Sequence, residues 1–208
     1  MIGGHDKHRI ASKLGDEQAR VLAMLSLTLR GTPFLYMGDE IGQERVKIPP
    51  ERVHDPFEKL VPGYDLCRDP ERAPVRWDDS QNGGFTNAEP WLPLDKKRER
   101  NREAQRQDER SILQLYRQLL RLRRESPCLQ QGKYQPVRSR NDVLSYQRVL
   151  GRSRIIVGLN ITPEPRKWEW QGRGKLLLST KLDRSAQTIE GPMLLRANEG
   201  LLVELDAV

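Results

Sequence analysis

The sequence predicts an α+β chain, helical in its first half and β-rich in its second. Three observations predict it. Residues 16–30 and 108–125 carry apolar side chains at helical spacing. Residues 32–37 form a short apolar run bounded by glycines. From Lys133 onward, short runs rich in Val, Ile, Leu, Tyr and Trp alternate with turn residues.

In the first helix, Asp16 can cap the start and Glu17 suits its positive end. Val21, Leu22, Leu25 and Leu29 recur along one side, with Ala23, Met24 and Leu27 filling in. So apolar a helix is expected to be buried, and Gly31 ends it. Thr32 to Met37 then reads as a buried, parallel-type strand. Gly38-Asp39-Glu40 follows at once. Acidic residues at the end of a buried strand fit the face of an α/β fold where loops carry chemistry.

Residues 43–106 are rich in Pro and Gly and lack periodicity. A structureless stretch of this length is uncommon in a domain unless it is functional. The charge run from Asp95 to Arg106 reads as solvated surface. The second helix sets Ile112, Leu115, Tyr116, Leu119, Leu120 and Leu122 on one face and Arg110, Arg117, Arg121 and Arg124 on the other. Ser126-Pro127 ends it. Strands are expected over 134–137, 143–149, 154–159, 167–170, 175–179, 193–195 and 201–205. Turn signals at 140–142, 151–152 and 191–192 separate some of them, which suggests a small antiparallel sandwich.

With 208 residues, 36% hydrophobic and 31% charged, the chain has room for one or two cores and a wet surface. No apolar run approaches the roughly 20 residues of a membrane-spanning helix. The N-terminus has no basic stretch leading into an apolar one, so no signal peptide is expected. Cys67 and Cys128 are too few for a disulfide framework or a zinc site. A cytoplasmic setting is the expectation. The opening cluster of His5, Asp6, His8 and Arg9 is of the kind found at strand ends inside folds, so further chain is expected upstream. The net charge of +7 and the arginine stripe on the second helix would suit nucleic acid. Interspersed acids and the lack of a nucleic-acid motif weigh against that.

Ordered motifs narrow the reading. Gly4-His5-Asp6-Lys7-His8-Arg9 is followed by a helix and then by Thr32-Pro33-Phe34-Leu35-Tyr36-Met37-Gly38-Asp39-Glu40-Ile41-Gly42. Arg68-Asp69-Pro70-Glu71-Arg72-Ala73-Pro74-Val75-Arg76-Trp77-Asp78 comes next, then Gly84-Phe85-Thr86 and Pro90-Trp91-Leu92-Pro93. Together these resemble the C-terminal part of glycoside hydrolase family 13, in its α-glucosidase and oligo-1,6-glucosidase branch. The third segment is similar to that branch's Arg-Thr-Pro-Met-Gln-Trp signature. The resemblance implies the C-terminal remnant of a (β/α)8 TIM barrel over 1–126, with a long irregular insert at about 43–106, and an antiparallel β-sandwich domain over 127–208.

Family members are retaining enzymes, which use a carboxylate nucleophile and a carboxylic acid about 5–5.5 Å apart. By resemblance Asp6 is neither. It matches a third carboxylate that hydrogen-bonds sugar hydroxyls and stabilises the transition state. His5 matches the neighbouring histidine that binds the same sugar. Arg72 matches an arginine that closes the terminal-glucose pocket through an ion pair with an upstream aspartate. The nucleophile and the acid match nothing in this chain, so catalysis by the chain alone is not expected. Asp39 and Glu40 match a loop with a structural role, and His8 and Arg9 match positions near the pocket rim.

No cofactor and no metal are expected, since no oxygen-rich loop carries a calcium pattern. The implied partners are an α-glucoside or oligosaccharide substrate in the longer enzyme, and a complementary N-terminal barrel fragment. An alternative is a non-catalytic protein whose β-domain binds carbohydrate or such a fragment. The chain departs from the family at Gly4, where Asn is usual, at Ala73 for Thr, and at Val75-Arg76 for Met-Gln. Residues 43–66 are hard to align with the family. Trp77, Trp91, Trp168 and Trp170 could stack on sugars, but core or sheet packing is the preferred account of all four.

Overall fold

A computed structural model of the chain describes residues 3–139 and 141–206. Two compact units emerge, one of Met1–Gly15 with Phe34–Gln114, the other of Asp16–Pro33 with Leu115–Val208.

Helix α1 covers Ile10–Thr28 and is interrupted at Gly15, whose φ of 81° and ψ of 167° are non-helical. Glycine takes that conformation without the Cβ clash other residues meet. The helix therefore starts earlier than the expected Asp16, and it ends before Arg30.

The rest of the first unit is built from short elements. Tight 3₁₀ turns lie at Asp39–Ile41 and Pro50–Arg52. Helix α2 is Pro56–Leu60, with Pro56 at its first position and the Asp55 carboxylate accepting from the Phe57 N–H at 3.1 Å. Both are favourable helix starts. Helix α3 is Asp69–Arg72 and α4 is Arg102–Gln107, the latter capped by Asn101. The expected irregular insert thus contains three short helices.

Residues 32–37 form no strand. Phe34 and Met37 are 65% and 59% exposed. The run is apolar and Gly-bounded as a buried strand should be, but a strand also needs a neighbour for its backbone groups. Among the described residues it has none.

Helix α5 runs Ile112–Glu125 and belongs to the second unit from Leu115 onward, and α6, Pro127–Gln131, lies in that unit. The α5 helix begins later than the expected residue 108, so Arg110 lies outside it. Six strands, β1 (Lys133–Pro136), β2 (Val143–Leu150), β3 (Ser153–Asn160), β8 (Glu199–Leu205), β5 (Arg173–Ser179) and β6 (Thr188–Glu190), pair in that order. Strands β4 (Arg166–Trp168) and β7 (Met193–Leu195) make a second, two-stranded sheet. Every pairing is antiparallel. Gly151 and Arg152 turn β2 into β3, with Leu150 opposite Ser153. The expected turn at 140–142 begins at Arg140, outside the described residues.

The sheet core gathers Val143, Ile156, Trp168, Trp170, Leu176, Leu195, Leu201 and Val203. Trp168 lies flat against Gly158, where a Cβ would stand 2.4 Å from the ring. Its indole N–H donates to Ser145 Oγ at 2.9 Å, so the polar tip of this buried ring is satisfied.

The 16–28 part of α1 is held to this unit by polar contacts. Arg20 Nε donates to the Thr180 carbonyl at 2.8 Å. Thr28 Oγ1 lies 2.6 Å from both the Met24 carbonyl and the Tyr146 hydroxyl. Its single proton goes to the carbonyl, so Tyr146 is the donor to Thr28. Arg148, fully buried, donates to the Thr28 and Gly132 carbonyls. Arg123 donates to the Leu27, Leu29 and Gly31 carbonyls. These guanidiniums satisfy carbonyls that the end of a helix leaves without intrahelical donors.

Candidate active site

The site lies in the first unit and starts with a turn. The Lys7 N–H donates to the Gly4 carbonyl at 3.2 Å, which puts His5 and Asp6 at the tip, both exposed. Arg72 reaches them from the end of α3. Its Nη2 donates to Asp6 Oδ1 at 2.7 Å and its Nε to the His5 carbonyl at 3.2 Å. His5 Nε2 stands 3.0 Å from Asp6 Oδ2. Arg68 Nη1 is 3.7 Å from Asp6 Oδ1. Arg68 and Arg72 are four residues apart across one helical turn, which sets them on the same side of α3.

Arg68 and the start of α3 are held by two carboxylates. Asp69 Oδ2 accepts the backbone N–H groups of His54 and Asp55, at 2.6 and 2.8 Å. The buried Asp55 carboxylate accepts from Arg68 three times: from its N–H at 2.6 Å, Nε at 2.9 Å and Nη2 at 2.8 Å. Those guanidinium hydrogen bonds hold the Asp55 carboxyl well below the usual carboxylate range, against the opposing effect of burial. The Arg68 guanidinium also covers the Phe57 ring at 4.7 Å.

A second polar cluster supports the other side. The buried Arg9 donates to the Met37 carbonyl at 2.7 Å and the Glu71 carbonyl at 2.8 Å, and lies 4.2 Å over the Tyr36 ring. Burial pushes the Arg9 pKa down, opposed by Tyr36, Asp39 and Glu71. Glu71, also buried, accepts from the Arg9 backbone N–H at 3.0 Å and pairs with Arg45 Nε at 2.6 Å. Burial pushes its carboxyl up nonetheless. Asp39 is raised for the same reason, with Arg9 3.6 Å away as the main opposing charge.

The structure therefore brings Asp6, His5 and Arg72 together. It buries Arg9 as a brace, and it turns His8 towards Asp65, at 3.5 Å. Glu40 accepts from the Gly38 N–H at 2.7 Å, a loop-bracing contact. Trp168 and Trp170 are buried with ring centroids 5.2 Å apart, as packing predicts. Trp77 and Trp91 are 44% and 50% exposed, so core packing does not account for them. Sequence reasoning missed Asp55, Arg68, Glu71 and Arg45. The one available signal was the four-residue spacing of Arg68 from Arg72.

Chemically, Asp6 is a half-exposed carboxylate with one oxygen engaged by Arg72 and the other beside His5. A carboxylate offers about four lone-pair directions, so it retains capacity for hydroxyl donors. Among the described residues no group of three or more His, Cys, Asp or Glu is placed to hold a metal ion. No helix among them is long and apolar enough to cross a membrane.

An exposed His-Asp turn clamped by arginines is thus followed, later in the chain, by an antiparallel β-domain. The family model described as the alpha amylase catalytic domain matches residues 1–132, and the chain belongs to that family, glycoside hydrolase family 13. It is 32% identical over 187 residues to an oligo-1,6-glucosidase of Parageobacillus thermoglucosidasius, covering 77% of this chain and 33% of that protein. It is 30% identical over 211 residues to the trehalose-6-phosphate hydrolase of Escherichia coli, covering 88% of this chain and 38% of the relative. The chain thus spans about a third of the length of the curated relatives it matches. The solved structure of the trehalulose synthase MutB from Pseudomonas mesoacidophila MX-45 superposes with a TM-score of 0.85 at 28% identity, over 98% of this chain and 42% of that one. The fold is accordingly a C-terminal fragment of a family 13 barrel plus its β-domain.

Proposed function

We propose that this chain carries the sugar-holding part of a site that acts on α-glucosides. The observation that carries the reading is the joint placement of His5, Asp6 and Arg72. Asp6 accepts from hydroxyls of a glucosyl ring, and its negative charge favours the oxocarbenium-like transition state. His5 binds the same ring. Arg72 fixes the Asp6 carboxylate by a charge-assisted hydrogen bond. The reacting nucleophile and acid come, in this reading, from the part of the relatives that this chain does not span. The chain alone is then a binder and not a catalyst. Residues 1–126 are the barrel-derived portion and 127–208 the β-domain.

The test is a nuclear magnetic resonance titration of the 208-residue chain with glucose. Shifts centred on His5, Asp6 and Arg72, weakened about tenfold in Asp6→Asn, support the reading. Shifts elsewhere, or an unaffected Asp6→Asn variant, overturn it.

A second reading is favoured by the exposed run Phe34, Leu35 and Met37. Strand-like in sequence and unpaired in the structure, it suits docking to the complementary N-terminal barrel portion. Co-elution of the chain with residues N-terminal to the matched region of the Parageobacillus relative tests it, and separate elution counts against it.

A further inference from the structure

The positive charge of the chain is not spread evenly. The second unit holds 19 Lys and Arg against 11 Asp and Glu, the first 17 against 18. Within the second unit the excess narrows further. Residues 115–136 and 143–160 hold eight Lys and Arg and a single acid, Glu125. Two of the eight are spent inside the fold, where Arg123 and Arg148 donate to backbone carbonyls. The other six, Arg117, Arg121, Arg124, Lys133, Arg152 and Arg154, are exposed. Arg121 pairs with Glu125 at 3.0 Å, and among the described residues the other five have no carboxylate within ion-pair distance.

The fold brings these six to adjoining elements. Arg117, Arg121 and Arg124 follow each other at i, i+4 and i+7 and so share one face of α5. The Arg124 carbonyl accepts from Gln130 Nε2 of α6 at 2.6 Å. Cys128 of α6 sets its Sγ 3.1 Å from the Arg148 carbonyl oxygen and 3.5 Å from that of Ser153, at the β2–β3 hairpin. In the sheet, Lys133 stands opposite Val149, and Val149 opposite Arg154, so the three side chains leave the same face. A helix dipole favours cations in the last turn of α5, but it does not reach Arg117 or the hairpin.

We propose that this surface binds nucleic acid through its phosphate backbone, without reading sequence. Five of the six cations are arginines, whose planar fork takes two phosphate oxygens at once. The exposed amides of Gln118, Gln130 and Gln131 lie among them and also donate to phosphates. A duplex carries one charge per about 1.7 Å of its axis, so a rigid helix and hairpin can engage several phosphates together.

The experiment is fluorescence anisotropy of a labelled DNA duplex of about 20 base pairs, titrated with the full 208-residue chain. Six phosphate contacts predict an affinity that falls about a thousandfold between about 50 and 200 mM salt. The pair Arg117→Gln with Arg121→Gln, and the pair Arg152→Gln with Arg154→Gln, should each weaken binding about tenfold and flatten the logarithmic salt slope by about two. The pair Arg102→Gln with Arg106→Gln removes two exposed charges from α4 and should leave binding unchanged. Circular dichroism melting close to the parent's shows that each variant is folded. No binding at about 50 mM salt, or equal weakening by the α4 pair, overturns the proposal. Polyglutamate that displaces the duplex as well as unlabelled DNA does would make an acidic polypeptide the partner, which overturns it too.

Discussion

Arg72 donates from Nη2 to Oδ1 of Asp6 at 2.7 Å, joining two residues 66 positions apart. Both side chains are partly exposed, so the pair contributes little to stability, about 0–1 kcal/mol. Replacing Arg72 by Gln should leave the melting temperature within a few degrees of the parent. Glucose affinity should fall about tenfold, because Asp6 loses the partner that orients it. Calorimetric melting and the sugar titration, run on one preparation, separate the two effects. A large fall in melting temperature would make Arg72 a structural residue.

Arg9 is a brace of a different kind. Its guanidinium serves two carbonyls and an aromatic ring while buried. Replacing it with Met strands those carbonyls and leaves Asp39 without its main opposing charge. The expected cost is about 3–5 kcal/mol, read as a lower denaturant midpoint. Lys in its place should recover only a fraction, since a single ammonium cannot reproduce the planar fork. A midpoint close to the parent's would show that the cluster tolerates loss of the charge.

In the β-domain, Arg196 grips Asp183 with two hydrogen bonds, at 2.5 and 2.8 Å. This holds the Asp183 carboxyl at about 2, against an ordinary 3.8. A carboxyl depressed in the folded state stabilises above its unfolded pKa and loses that contribution as pH falls through the folded one. The stabilisation, about 2 kcal/mol, should be complete above about pH 4 and gone near pH 2. Asp183→Asn should therefore be less stable than the parent at neutral pH and nearly equal to it at about pH 2. A gap that stays constant across this range would rule out the ion pair as the cause.

Gly158 faces the Trp168 ring with no room for a methyl group, since a Cβ would sit 2.4 Å from ring carbon. Gly158→Ala should cost about 1–3 kcal/mol through displacement of the indole. The indole's hydrogen bond to Ser145 would be disturbed with it, so a changed tryptophan fluorescence should accompany the loss. An unchanged spectrum and midpoint would mean the sheet yields instead.

The sequence carried much of the β-domain. Strands β1, β2, β3, β4, β5, β7 and β8 fall within two residues of their expected bounds, because alternation and turn residues are local signals. Thr188–Glu190 was missed, since a three-residue edge strand with exposed ends has no burial pattern to read. The run at 32–37 failed for the opposite reason. Its composition is right, but strandhood depends on a neighbour, and no single segment encodes that. The break at Gly15 is likewise set by backbone geometry that apolar spacing does not report. Around Asp6, the His-Asp turn was legible only through its resemblance to a family. The contacts of Arg72, Asp55 and Glu71 join segments far apart in sequence, and periodicity is blind to such pairs.

The helix segment from Asp16 has a consequence for anyone trimming this gene. The chain passes between its two units after Gly15, after Pro33 and after Gln114. A clone that begins at residue 127 would keep every strand and lose the helix on which they depend. Arg148 would be left with a buried charge and no Thr28 carbonyl, and the Tyr146 hydroxyl with no acceptor. A soluble β-domain would have to bring residues 16–33 with it, spliced ahead of residue 115 by a short linker.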